Sequence, residues 1–135
     1  MDDSIAVATA TIGTDTYKTE LKARTHSVIG DEPPDVGGTD LGPRPGDFIR
    51  MGLASCTAIT LRMYANRKKM DVRKIQVTVS NGPTTDKTVY QTDIQITGNI
   101  SEEDRARLVQ IAKKCPVHKI LTNPIEIEHA LSVKS

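Results

Sequence analysis

Cys56 and Cys115 are the only cysteines in a chain of 135 residues, and their settings differ. Cys56 lies deep in an apolar stretch, whereas Cys115 directly precedes a proline in the run Lys113-Lys114-Cys115-Pro116-Val117-His118. A thiol inside an apolar helix needs outside help to ionise, while one at a helix end has looser backbone around it and is open to a partner. Such a pair suits redox chemistry in which one thiol is attacked and the other resolves the product.

Helical spacing puts Ile49, Gly52, Leu53, Ile59, Thr60 and Met63 on the face of Cys56, a mostly apolar set that raises the thiol pKa. The helix dipole fades within its first turn and does not reach a residue about three turns in. Arg50 and Arg62 each stand six positions away, about 120° round the helix. An activating cation must therefore come from elsewhere. Arg24, at the end of the second expected strand, is the first candidate and Arg44, in the following loop, the second.

Other chemistries use the same residues. Free cysteines often pack as small buried hydrophobes. Cys115 and His118 have ligand-like spacing, with His26 and His129 as further donors, but there is no C-x-x-C and no metal is expected. A hydrolase-type nucleophile pairing Cys56 with His26 and Asp31 has no local signature to support it. Gly37, Gly38, Gly42 and Gly46 fit neither phosphate-cradle pattern, so they serve the backbone, and no cofactor is expected.

The elements that must position the thiols follow from pattern. Residues 5–12 and 16–23 read as strands around a turn at Gly13-Thr14-Asp15, with a third strand from His26 to Ile29. Gly30 to Gly46 holds too many prolines and glycines for a regular element. A helix is predicted from Pro45 to Met70, apolar all round between Met51 and Ala65 and so in need of cover on several sides. Ile75, Val77 and Val79, then Ile94 and Ile96, alternate with polar residues as two half-buried antiparallel strands. Ser101 and its acidic neighbours open a helix that carries Leu108, Ile111, Ala112 and Cys115 on one face, which turns Cys115 inward. Pro116 starts a short helix to Leu121, and a last strand is predicted from Ile125 to Leu131. The order βββ, α, ββ, α, β argues for an α+β fold with antiparallel sheets, in a single domain over residues 1–135.

Composition limits the partners. With 18 Lys and Arg against 17 Asp and Glu, the net charge of +1 offers no field for nucleic acid or an acidic membrane. The one basic run, Arg67-Lys68-Lys69, falls at a helix end, where cations complement the dipole. Met1-Asp2-Asp3-Ser4 leads into no apolar signal segment, and no stretch is long enough to span a membrane, so a cytoplasmic protein is expected. Four aromatic residues leave the core aliphatic and thin, a deficit that association between chains would make good.

Four segments together resemble the family of osmotically inducible protein C and organic hydroperoxide resistance proteins (OsmC/Ohr). They are Asp31-Glu32-Pro33, the run Gly37-Gly38-Thr39-Asp40-Leu41-Gly42-Pro43, Phe48 to Thr57 with its Leu53-Ala54-Ser55-Cys56-Thr57 end, and Cys115-Pro116-Val117-His118. The resemblance spans most of the chain and takes in both cysteines in order. It implies an intertwined homodimer with the long helices between the subunits. It also implies a thiol peroxidase acting on organic hydroperoxides and reset by an external thiol reductant, with Cys56 matching the peroxidatic cysteine, Cys115 the resolving one and Arg24 the activating arginine. One departure stands out: the family's best-studied branch has a glutamate ten residues before the first cysteine, and this chain has Gly46 there, with Asp47 one step away.

Overall fold

The computed structural model describes residues 5–134. The fold is α+β with antiparallel sheets. The chain divides into two compact units at Arg50/Met51.

The first unit is built on a three-stranded sheet of β1 (Thr9–Ile12), β2 (Thr19–Ala23) and β3 (His26–Gly30), in that spatial order. The first two strands are shorter than the alternation of residues suggested. In the β1–β2 register Ile12 faces Thr19, so residues 13–18 form the connection, wider than the three-residue break expected. Ala23 faces His26, which leaves Arg24 and Thr25 as a two-residue turn, and Arg24 adopts a left-handed φ of 54°. Side chains bearing a Cβ enter that region at a cost, and it is met mostly in tight turns.

The Gly- and Pro-rich segment after β3 is an ordered loop with one 3-10 turn, Pro34–Val36, where no regular element was expected. Asp31 organises it from a position only 2% exposed. Its carboxylate accepts from the Thr39 hydroxyl at 2.7 Å, the Glu32 amide at 2.7 Å and the Leu41 amide at 3.1 Å. The Thr39 bond above all, followed by the backbone amides against the opposing effect of burial, holds its pKa below the usual carboxylate value. The loop closes so tightly that a Cβ on Gly38 would sit 1.9 Å from the Glu32 carbonyl oxygen, and one on Gly42 2.0 Å from that of Ile29. These two glycines are thus there for close backbone approach.

Helix α1 (Pro45–Arg67) starts with proline in its first position and a reciprocal cap: the Asp47 amide donates to the Arg44 carbonyl at 3.0 Å, and the Arg44 amide donates to the Asp47 carboxylate at 2.9 Å. It stops at Arg67, three residues before the expected Met70. Lys69 turns left-handed at φ 57°, and the Met70 amide reaches back to the Ala65 carbonyl at 2.9 Å. A left-handed residue closing the last turn in this way ends a helix.

In the second unit β4 (Asp71–Ser80) pairs antiparallel with β5 (Gln91–Asn99), Ile75 opposite Ile96 and Val77 opposite Ile94, as the alternation predicted. Helix α2 (Glu102–Ala112) is capped by Ser101, whose hydroxyl accepts from the Asp104 amide at 3.0 Å. Helix α3 (Pro116–Thr122) follows after Cys115, which has left helical geometry at φ −59°, ψ 129°, as a residue before proline should. The buried core, Leu61, Tyr64, Ala65, Val72, Leu108 and Ile111, joins one face of α1 to α2 and the start of β4.

The strand predicted from Ile125 to Leu131 is absent: residues 124–134 carry no regular structure, and Leu131 is 90% exposed. A strand must hand its amides and carbonyls to a neighbour, and among the described residues nothing pairs with this segment. Its apolar residues nevertheless recur at Ile125, Ile127, Leu131 and Val133, one side of an extended chain.

Candidate active site: the Cys56 and Cys115 thiols

Folding of the second unit brings together two thiols separated by 59 positions in sequence, Cys56 on α1 and Cys115 between α2 and α3. The face of α1 carrying Leu53, Thr57, Leu61, Tyr64 and Ala65 is buried, and Cys56 lies at its margin, half-buried. Cys115 is fully buried. Position 115 lies seven residues after Leu108, in line with the inward stripe; α2 itself ends at Ala112, short of the Cys115 end that the sequence suggested, and a turn through Lys113 and Lys114 brings Cys115 into the core as the cap of α3.

The Cys56 thiol lies within hydrogen-bonding reach of the Cys115 sulfur. The first turn of α3 wraps both sulfurs: the Val117 amide reaches Cys56, and the His118 amide donates to Cys115 Sγ at 3.4 Å. Thr60, one turn beyond Cys56 on α1, adds its hydroxyl. The balance raises the Cys56 pKa above its ordinary 9.0. Burial is the largest cause, and the hydrogen bond to Cys115 and the repulsion of a second thiolate add to it, against the opposing pull of the Val117 amide and the Thr60 hydroxyl. At neutral pH this thiol is protonated unless a cation is brought to it.

The two α1 arginines nearest Cys56 in sequence are committed elsewhere. Arg50 holds the Asp47 carboxylate at 2.7 Å, and Arg62 donates to the Val72 carbonyl at 2.7 Å. Asp47, the acid nearest the position of the family's glutamate, thus serves the helix cap and Arg50. In the first unit Arg44 pairs with Glu32 at 3.3 Å, while Arg24 makes no ion pair among the described residues. Both oxygens of Asp31 are engaged in its loop, which removes the acid from the hydrolase alternative. Among the described residues no group of three or more His, Cys, Asp or Glu side chains could hold a metal ion.

Some features of the site were hidden in the sequence. Thr60 counted only as one member of an apolar face, and the two amides of α3 carry no side-chain signal at all. Their trace was Pro116, which fixes where the short helix begins. Leu53, which helical spacing puts on the apolar face of Cys56, is buried and lines a cavity of about 480 Å³ with Thr57, Ile94, Val109, Ala112 and His118 among its walls. Ile59 and Met63, on the other side of α1, are open, Met63 being 68% exposed.

Comparison with solved structures places the fold. An OsmC-like protein from Mycoplasma pneumoniae is similar with a TM-score of 0.75 at 21% identity, over 90% of this chain and 89% of that one. An organic hydroperoxide resistance protein OsmC from Legionella pneumophila gives 0.60 at 22%, over 87% and 89%. An organic hydroperoxide resistance protein from Elizabethkingia anophelis gives 0.62 at 19%, over 90% and 91%. Comparison with the curated proteins found no match. In sequence, residues 38–130, which include both cysteines, match the family described as OsmC-like protein. The chain belongs to the OsmC-like protein family.

Proposed function

We propose that this protein is a thiol peroxidase for organic hydroperoxides. The observation that carries the reading is the contact between the half-buried Cys56 thiol and the fully buried Cys115 sulfur. The Cys56 thiolate attacks the outer oxygen of the hydroperoxide, the O–O bond breaks, and the alcohol leaves with a proton, which makes Cys56 a sulfenic acid. The Cys115 thiol then attacks that sulfur, water leaves, and a Cys56–Cys115 disulfide remains. Two equivalents of thiol reductant return both sulfurs to the reduced state. Arg24 supplies the cation that lowers the Cys56 pKa.

Substrate preference follows from the surroundings of the exposed sulfur. Ile59 and Met63 lie on the open face of α1 near Cys56, and each methylene of an alkyl tail fully removed from water there is worth roughly 0.8 kcal/mol. Two or three partly buried groups make cumene hydroperoxide about tenfold or more better in kcat/KM than hydrogen peroxide, which has nothing to bury. Both are compared under one reductant that is not rate-limiting. Equal or faster consumption of hydrogen peroxide removes the apolar-mouth account.

The working form is a homodimer. The open face of α1 and the unpaired run from Ile125 to Val133 expose more apolar side chain than a lone chain of this size comfortably carries. Sedimentation at micromolar concentration is expected to show a dimer, and a monomer there contradicts this.

The cavity of about 480 Å³ favours a second reading, a binding protein for a small apolar ligand in which the cysteines only pack. That reading predicts thiols left unchanged by hydroperoxide.

A further inference from the structure

Thr60, Met63, Tyr64 and Arg67 of α1 and Arg107, Ile111 and Lys114 on and after α2 line a recess of about 240 Å³. Its lining combines apolar side chains with three cations, Arg67, Arg107 and Lys114. Arg107 Nε donates to the Tyr64 hydroxyl at 3.2 Å, which leaves the terminal guanidinium nitrogens for another partner. The Arg107, Arg67 and Lys68 cations stand 5.8, 5.3 and 6.0 Å from the centre of the Tyr64 ring. Among the described residues neither Arg67, Arg107 nor Lys114 forms an ion pair. A recess lined by three cations and no acidic residue attracts anions.

The recess is tied to the sulfurs on both sides. Thr60 is close enough to Cys56 to lower its pKa, and Ile111 and Lys114 stand four and one positions before Cys115. Because Cys115 is fully buried, an incoming thiol can reach the disulfide only at Cys56. The attacking species is a thiolate whichever reductant is used, so the cations of the recess discriminate through a second negative charge on the reductant, which a neutral hydroperoxide also lacks.

Resting on the peroxidase reading, we propose that this recess docks the carboxylate of an acid-bearing thiol, which selects anionic reductants. The docked thiolate attacks Cys56 Sγ, and Cys115 leaves as a thiolate and takes a proton. A second thiolate attacks the reductant's sulfur in the mixed disulfide. Cys56 is released, and the two reductant molecules leave joined as their own disulfide, having supplied the two electrons.

The test uses protein oxidised with diamide, so that it does not depend on turnover with peroxide. Reduction by 3-mercaptopropionate is compared with reduction by 2-mercaptoethanol, which lacks the carboxylate. In the double variant Arg67→Gln/Lys114→Gln the ratio of the two rates is expected to fall about tenfold from wild type, the loss of two exposed ion pairs. The 2-mercaptoethanol rate should stay within about twofold, which also shows that the fold is intact. Lys87→Gln, outside the recess, should leave the ratio unchanged. A ratio that does not move, or both rates falling together, overturns the proposal. In the reduced protein, inorganic phosphate followed by NMR should shift the Tyr64 ring and Ile111 signals in wild type and not in the double variant. Absence of that shift overturns the anion site whether or not peroxide oxidises the cysteines.

Discussion

Replacing Cys56 by serine is expected to lower the rate of organic hydroperoxide consumption by about a thousandfold or more, to the uncatalysed background. Serine keeps the size and the hydrogen bonds but has no accessible anion at neutral pH, so the nucleophile itself is lost. Stability should barely change, because Cys56 is only half-buried and the hydroxyl can still meet the Thr60 and Val117 partners. Cys115→Ser behaves differently. The first equivalent of peroxide still reacts, no intramolecular disulfide forms, and Cys56 passes with excess peroxide to the sulfinic acid. Rapid single-turnover kinetics with mass analysis separate the two variants. If Cys56→Ser retains the wild-type rate, Cys56 is not the nucleophile.

Arg24→Ala is expected to have the second-largest effect. With burial and Cys115 both raising the Cys56 pKa, the thiol without a cation titrates above 9.0, and at pH 7 little of it is thiolate. A guanidinium brought close to a thiol lowers its pKa by one to three units, so its removal costs roughly tenfold to a thousandfold in rate at neutral pH. The sign fixes the pH profile as well. In Arg24→Ala the rate should climb about tenfold per pH unit through neutrality and towards pH 9, while the wild type levels off earlier. Arg50→Ala, whose guanidinium is held by Asp47, should change the rate by less than about threefold. Equal and small effects of the two changes would remove Arg24 from the mechanism. Arg24 also holds a left-handed turn at φ 54°, so the melting temperature of the variant serves as the control for folding.

The sequence made legible whatever rests on local rules. The Ser101 cap, the alternation of β4 and β5, and the inward stripe ending at Cys115 with Pro116 behind it all depend on neighbours within one or two turns, and the structure has them. The end of α1 carries no sequence signal, because Lys69 and not a glycine takes the left-handed position that closes it. The strand predicted from Ile125 to Leu131 shows the other limit. Its alternation was read correctly, but a strand exists only with a partner, and a single chain's pattern does not say where that partner lies. For the site, the two thiols were legible by type and setting, and so was the absence of an arginine on the face of Cys56 within two turns of it on α1. The backbone amides of Val117 and His118, the hydroxyl of Thr60 and the cations around Tyr64 were not, since each depends on α2 and α3 folding back against α1. Leu53 went to the buried side because the stripe Leu53, Thr57, Leu61 and Tyr64 faces the core, a choice among faces that an all-round apolar helix leaves open.

The central claim is that Cys56 and Cys115 form one redox unit driven by an organic hydroperoxide. Fully reduced protein treated with one equivalent of cumene hydroperoxide, quenched within seconds by alkylation and digested, tests it most directly. The account predicts near-complete conversion to a Cys56–Cys115 cross-linked peptide with no alkylated Cys56 remaining. Two alkylated, unoxidised cysteines would contradict it.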